Sequence, residues 1–160
     1  MTTELPDFNI PHREKIDWMI ETHGWALEAV RPAVDEASAR PAHAYSIGVT
    51  MLTGFAEILV IGLAPATASD VISVAVDALR GGTEIPLGCE LVGLLDGEQR
   101  CAFAPLSEDD ARAWCPAIEE YSAQPLSVVQ MLYPDRHGFL PYETGYEQRM
   151  RYAQPVIGTM

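Results

Sequence analysis

Lysine is almost missing from this 160-residue chain: Lys15 is the only one, and ten Lys and Arg together stand against 23 Asp and Glu, a formal charge of −13. A surface so short of cations repels phosphate, which excludes general binding to nucleic acid or to an anionic membrane. Long apolar runs are missing too. No stretch of about eighteen apolar residues occurs, and the opening MTTELPDFNIPHREK lacks the basic, apolar, small-residue order of a signal peptide, so the sequence predicts a soluble, cytoplasmic protein. Cysteine is scarce and odd in number. Cys89, Cys101 and Cys115 have spacings that fit no zinc or redox pattern and read as buried structural thiols. Gly62-Leu63-Ala64-Pro65 is neither a dinucleotide nor a phosphate loop, and no G-x-S-x-G elbow occurs. His and carboxylates lack the i, i+4 spacing of a helix-borne metal site, so neither a metal nor a cofactor is expected.

What the chain does have is enough apolar residue, 48%, to bury a core in one domain spanning 1–160. Ile16, Met19, Ile20 and His23 form an i, i+3, i+4, i+7 stripe, with Pro11 to open and Gly24 to close a first helix near 12–23. GWALEAV, AYSIGVTM and EILVIGL read as strands, the last two apolar on both faces and therefore central. Thr67 and Asp70 form a capping box before VISVAVDALRGG, and Ser107 and Asp110 repeat it before a third helix that Pro116 should break. Asp96-Gly97 between two apolar segments predicts a hairpin on a type I′ turn, and LSVVQMLY is a last strand. This order predicts an α+β fold: a mainly antiparallel sheet of about six strands with three helices packed on it.

The stretch QMLYPDRHGFLPYETGY, residues 130–146, has no helical or strand period. Alternation along the last strand puts Gln130 with Val128 and Leu132 on one face, so its amide must find partners inside an apolar layer. Pro134-Asp135-Arg136-His137-Gly138 carries turn chemistry, in which aspartate accepts amides two residues on and glycine permits positive φ. Between Arg136 and Arg151 the chain is less acidic than elsewhere, with Arg136, Arg149 and Arg151 against Glu143 and Glu147.

AYSIGV, FAEILVIGL, VVQMLYPDRHGFLPYETGY and the late QPVIG resemble a family of small bacterial proteins described only as a domain of unknown function, DUF4262. The positions that fit are Tyr45, Gly48, Glu57, Gln130, Pro134, Asp135, Gly138, Pro141, Gln154 and Pro155. Phe55 and Ala56 stand where the family pattern has His and Pro, so chemistry requiring that histidine is not expected here. The resemblance implies a grouping of residues and no reaction.

Two functions compete on these residues. The first is a ligand- or partner-binding accessory or regulatory module, immunity-like in kind, that presents Tyr45, Glu57, Gln130, Asp135, Arg136, His137, Tyr142 and Arg149 to an unknown small molecule or protein. The alternative is a small hydrolase or lyase, with or without a metal, built on Asp135, His137 and Glu57. It requires the last strand to deliver the Pro134-Asp135 turn near the beginning of the Glu57 strand. A third reading makes Gln130, Asp135 and Gln154 a folding device that closes the C-terminal tail over the sheet. Self-association into a homodimer stays open.

Overall fold

The computed structural model describes residues 12–33, 40–122 and 125–160. Pro11, expected to open the first helix, lies outside them. The element order is α1 (His12–His23), β1 (Ala26–Val30), β2 (His43–Ile47), α2 (Val49–Thr53), β3 (Glu57–Ile61), α3 (Pro65–Arg80), β4 (Glu90–Val92), β5 (Arg100–Pro105), α4 (Glu108–Trp114), a 3-10 turn (Pro116–Glu120), β6 (Val128–Leu132) and α5 (Met150–Ala153). One six-stranded sheet runs β1-β2-β3-β6-β5-β4. All neighbours are antiparallel except β3 and β6, which pair parallel with Glu57 level with Val128. The expected α+β architecture is present. Of the five α-helices among the described residues, α1, α3 and α4 are seven residues or longer.

The central strands β2, β3 and β6 are buried on both faces, as their unbroken Ile, Val, Leu and Tyr content requires. On one face Ile58, Val60, Phe103, Val129 and Met131 pack against Ile72, Ala75 and Val76 of α3. On the other, Tyr45, Ile47, Leu59 and Ile61 meet Ile16 of α1, Trp114 of α4 and Ile118 of the 3-10 turn. A smaller cluster of Ala102, Ala104 and Leu132 lies beside it on β5 and β6. Among the described residues no helix is long and apolar enough to cross a membrane.

Three local expectations need correction. AYSIGVTM is not one strand: after Ile47 the chain turns at Gly48 (φ 106°) into α2. Glu57 supplies the reason, because its carboxylate takes the amides of Gly48, Val49 and Thr50 (3.0–3.2 Å) and so favours a helical turn over continued strand. The Thr67/Asp70 box does not start α3, which begins at Pro65, because proline suits the first helical position, where an amide has no helical partner to lose. The β4–β5 hairpin forms, but residues 93–99 connect it and none of the non-glycine residues among them has positive φ, so Asp96-Gly97 is not a type I′ turn. Ser107 does cap α4, accepting the Asp110 amide at 3.2 Å, and Pro116 does end that helix region in a 3-10 turn.

Candidate functional site

β6 runs out at Leu132, and the chain then folds back on itself as far as Glu147. Asp135 organises this turn from inside. It is 7% exposed, and its carboxylate accepts the amides of His137 (2.9 Å), Phe139 (3.0 Å) and Glu147 (2.8 Å). Its own amide donates to the Phe139 carbonyl (2.8 Å), and the Gly138 amide donates back to the Asp135 carbonyl (3.0 Å) with Gly138 at φ 89°. Burial alone would raise the Asp135 carboxyl, but the three amides together outweigh it and hold the group below its ordinary value.

The far side of the turn is held by arginines. Arg100, at the start of β5, makes a two-pronged contact with the Glu143 carboxylate and also donates to Glu90 (2.8 Å) and to the Gly138 carbonyl (2.7 Å). The Arg100 guanidinium, helped by the Leu140 amide (2.8 Å), keeps the Glu143 carboxyl below its usual value. Arg151 donates to the carbonyls of Pro141 (3.0 Å) and Glu143 (2.9 Å) and lies over the Tyr146 ring at 5.6 Å.

The C-terminal tail crosses the sheet on two glutamine amides. Gln130, fully buried in β6, donates to the Pro155 carbonyl (2.8 Å) and accepts the amides of Ile157 (2.7 Å) and Gly158 (3.0 Å). Gln154 pairs with the backbone of Tyr133 much as a neighbouring strand would, accepting its amide (3.1 Å) and donating to its carbonyl (3.2 Å) and to the Tyr146 hydroxyl (2.7 Å). The approach is close. A Cβ on Gly158 would strike the Ala104 carbonyl, and one on Gly62 (φ 92°) would stand 2.5 Å from the Ala153 carbonyl.

The eight residues proposed from the sequence do not form one site. Tyr45 is buried in β2, where its hydroxyl accepts the Ala117 amide at 3.2 Å and burial pushes its ionisation upward. Glu57 is 3% exposed and committed to Ser46 Oγ (2.7 Å) and the three amides of α2. The expected meeting of the Asp135 turn with the beginning of the Glu57 strand does not occur. Parallel pairing sets Glu57 beside Val128, so β6 carries the chain roughly 13 Å away over its next four residues before the turn begins. Asp135, His137 and Glu57 therefore do not converge. Gln130 and Asp135 are buried and bonded as above, whereas Arg136, His137, Tyr142 and Arg149 are exposed on the outside of the same turn, with Phe139 at 41% and Tyr142 at 40%. Burial and the Glu90 carboxylate raise the Tyr142 phenol. Arg136 (3.4 Å) and Arg149 (2.7 Å) share one oxygen of Glu147.

The sequence signal for Arg100 and Glu143 was missed, since nothing local to either residue marks a pair separated by 43 positions. Among the described residues no three His, Cys, Asp or Glu side chains gather as a metal site. Of the three cysteines expected to be buried, Cys89 is exposed. Cys101 is buried, which pushes its thiol up to about 11, and burial raises Cys115 as well, so these two stay protonated at neutral pH and read as structural.

No curated protein matches the chain, and no solved structure does. One family model matches residues 19–147, a stretch that holds every strand of the sheet and the whole Asp135 turn. On that match the chain belongs to the family described as Domain of unknown function (DUF4262).

Proposed function

We propose that the protein is a cytosolic accessory or regulatory binding module that presents the outer side of the 134–149 turn to a protein partner. The observation that carries this reading is the division of labour within the turn. Asp135, Glu143 and Arg100 are spent on holding the backbone, while Arg136, His137, Phe139, Tyr142 and Arg149 project outward from it. A backbone already braced loses little conformational entropy on binding, and the aromatic and arginine side chains it carries are the kinds that anchor interfaces.

Charge supports the same face. Residues 134–151 carry three acidic and three arginine residues, a neutral island in a chain of −13. With two guanidinium groups on one Glu147 oxygen, one cation is left to meet an anionic group of a partner. The hydrolase or lyase reading lacks this kind of support, because Glu57 lies apart from the turn that holds Asp135 and His137.

The test is capture of a partner by the immobilised wild type against two variants, Phe139→Ser and Arg136→Glu, each checked for an unchanged melting temperature. Loss of a saturable interaction with both variants supports the proposal. Retention of that interaction by both, or its loss only in variants that unfold, contradicts it.

A further inference from the structure

His43 opens β2 and is 5% exposed, with its ring held between two carbonyl oxygens. Nδ1 stands 3.1 Å from the Pro41 carbonyl, and Nε2 stands 3.1 Å from the Trp114 carbonyl, the last of α4. Among the described residues neither carbonyl takes a backbone amide. For Trp114 the cause lies in the sequence that follows. Pro116 has no amide to give, the Ala117 amide goes to the Tyr45 hydroxyl (3.2 Å) and the Ile118 amide to the Cys115 carbonyl (3.3 Å). The Trp114 ring meets the imidazole at 69° with centroids 4.9 Å apart, a contact that limits rotation of the buried ring.

Two acceptors on one imidazole do not suit both of its charge states. The neutral ring carries a single N–H, so it donates to one carbonyl and turns a lone pair toward the other. The imidazolium carries two and donates to both. A buried carbonyl that faces a lone pair has lost its hydrogen bond to water and gained none, and one added proton repairs that loss. The surroundings supply few other charges. Val30 of β1 and Ile61 of β3, level with His43, are apolar. Burial raises both the Tyr45 phenol, next on the same face of β2, and the Cys115 thiol after Trp114, so both are neutral. Glu28, level with Tyr45 on β1, contacts His12 (2.7 Å), and Arg112 of α4 is exposed among Glu108, Asp109 and Glu119 (3.4–3.8 Å). Arg40 is the cation on this side: it donates to the Ala113 carbonyl and lies 5.0 Å from the centre of the Trp114 ring. We infer that His43 is a proton-operated latch between β2 and the end of α4. Its imidazolium form closes on the Pro41 and Trp114 carbonyls together, and its neutral form lets one of them go.

The experiment follows the full chain from pH 8 to pH 5, the range in which imidazole changes charge. Ring ¹⁵N–¹H correlation spectra count the protonated nitrogens of His43. Amide exchange at Cys115 and Ile118, normalised to the intrinsic rate at each pH, reports how firmly the end of α4 is held. The expected result is one protonated ring nitrogen at the alkaline end and two at the acid end, with protection of both amides about fivefold greater in acid, the worth of one recovered hydrogen bond. In His43→Gln, whose donors do not change with pH, that gain in protection should vanish. A ring that holds the same number of protons from pH 8 to pH 5, or an equal response of the two amides in wild type and His43→Gln, would overturn the inference. If His43→Gln does not fold, the wild-type ring spectra decide alone.

Discussion

Replacing Gln130 by leucine isolates the role of one buried amide. The two side chains are similar in size, so the change leaves little cavity and acts on three hydrogen bonds, to Pro155, Ile157 and Gly158. A net value of about 1 kcal/mol for each bond gives a loss of roughly 3 kcal/mol. Release of the tail to water limits the cost, because its freed amides and carbonyl can then be solvated; the price is exposure of Ala102, Ala104 and Leu132. For a domain of this length, 3 kcal/mol lowers the melting temperature by roughly 6–12 °C. Urea unfolding followed by circular dichroism measures the loss, and hydrogen exchange at the Ile157 and Gly158 amides reports whether the tail has lifted. Unchanged stability with both amides still protected would refute the reasoning that Gln130 fastens the tail.

Other perturbations separate the remaining structural claims. Glu57→Gln should destabilise by about 2–3 kcal/mol in urea unfolding, since an amide group cannot accept all four donors that converge on the carboxylate. Asp135→Asn should lower the melting temperature most near neutral pH. The Asp135 carboxyl is depressed in the folded state, so its stabilisation is complete above the unfolded value near 4 and disappears as pH falls through the folded value. The gap between wild type and Asp135→Asn in thermal scans should therefore close in acid. Gly62→Ala should cost more than Gly54→Ala: both incur about 1 kcal/mol for positive φ, but only the first drives a Cβ against the Ala153 carbonyl and the Tyr133 hydroxyl. Equal melting temperatures for the two would contradict the close tail contact.

Composition and alternation made the sheet legible. AYSI and EILVI were expected to be central because both faces are apolar, as β2 and β3 are, and the Gln130 face followed from period-two geometry, as its contacts to the tail bear out. Strand pairing was not legible. Nothing in EILVI or VVQML says that β3 and β6 run parallel, and that single fact puts Glu57 at one end of the sheet and Asp135 beyond the other. Turn chemistry at Pro134–Gly138 was readable because Asx and glycine preferences are local. The Arg100–Glu143 contact and the partners of Gln154 were not, since they depend on where the fold brings distant segments together. Glu57 shows the same limit in reverse: its carboxylate looked like a site residue and is a cap for the helix that interrupts AYSIGVTM.

The central claim is that the 134–149 turn is braced from within by Asp135, so that its outer side chains are held in place before any partner arrives. Hydrogen exchange at the amides of His137, Phe139 and Glu147 in the isolated protein tests it most directly. The account predicts protection of roughly a thousandfold or more at all three, falling sharply in Asp135→Asn. Exchange near the rate of an unstructured peptide in the wild type would contradict it.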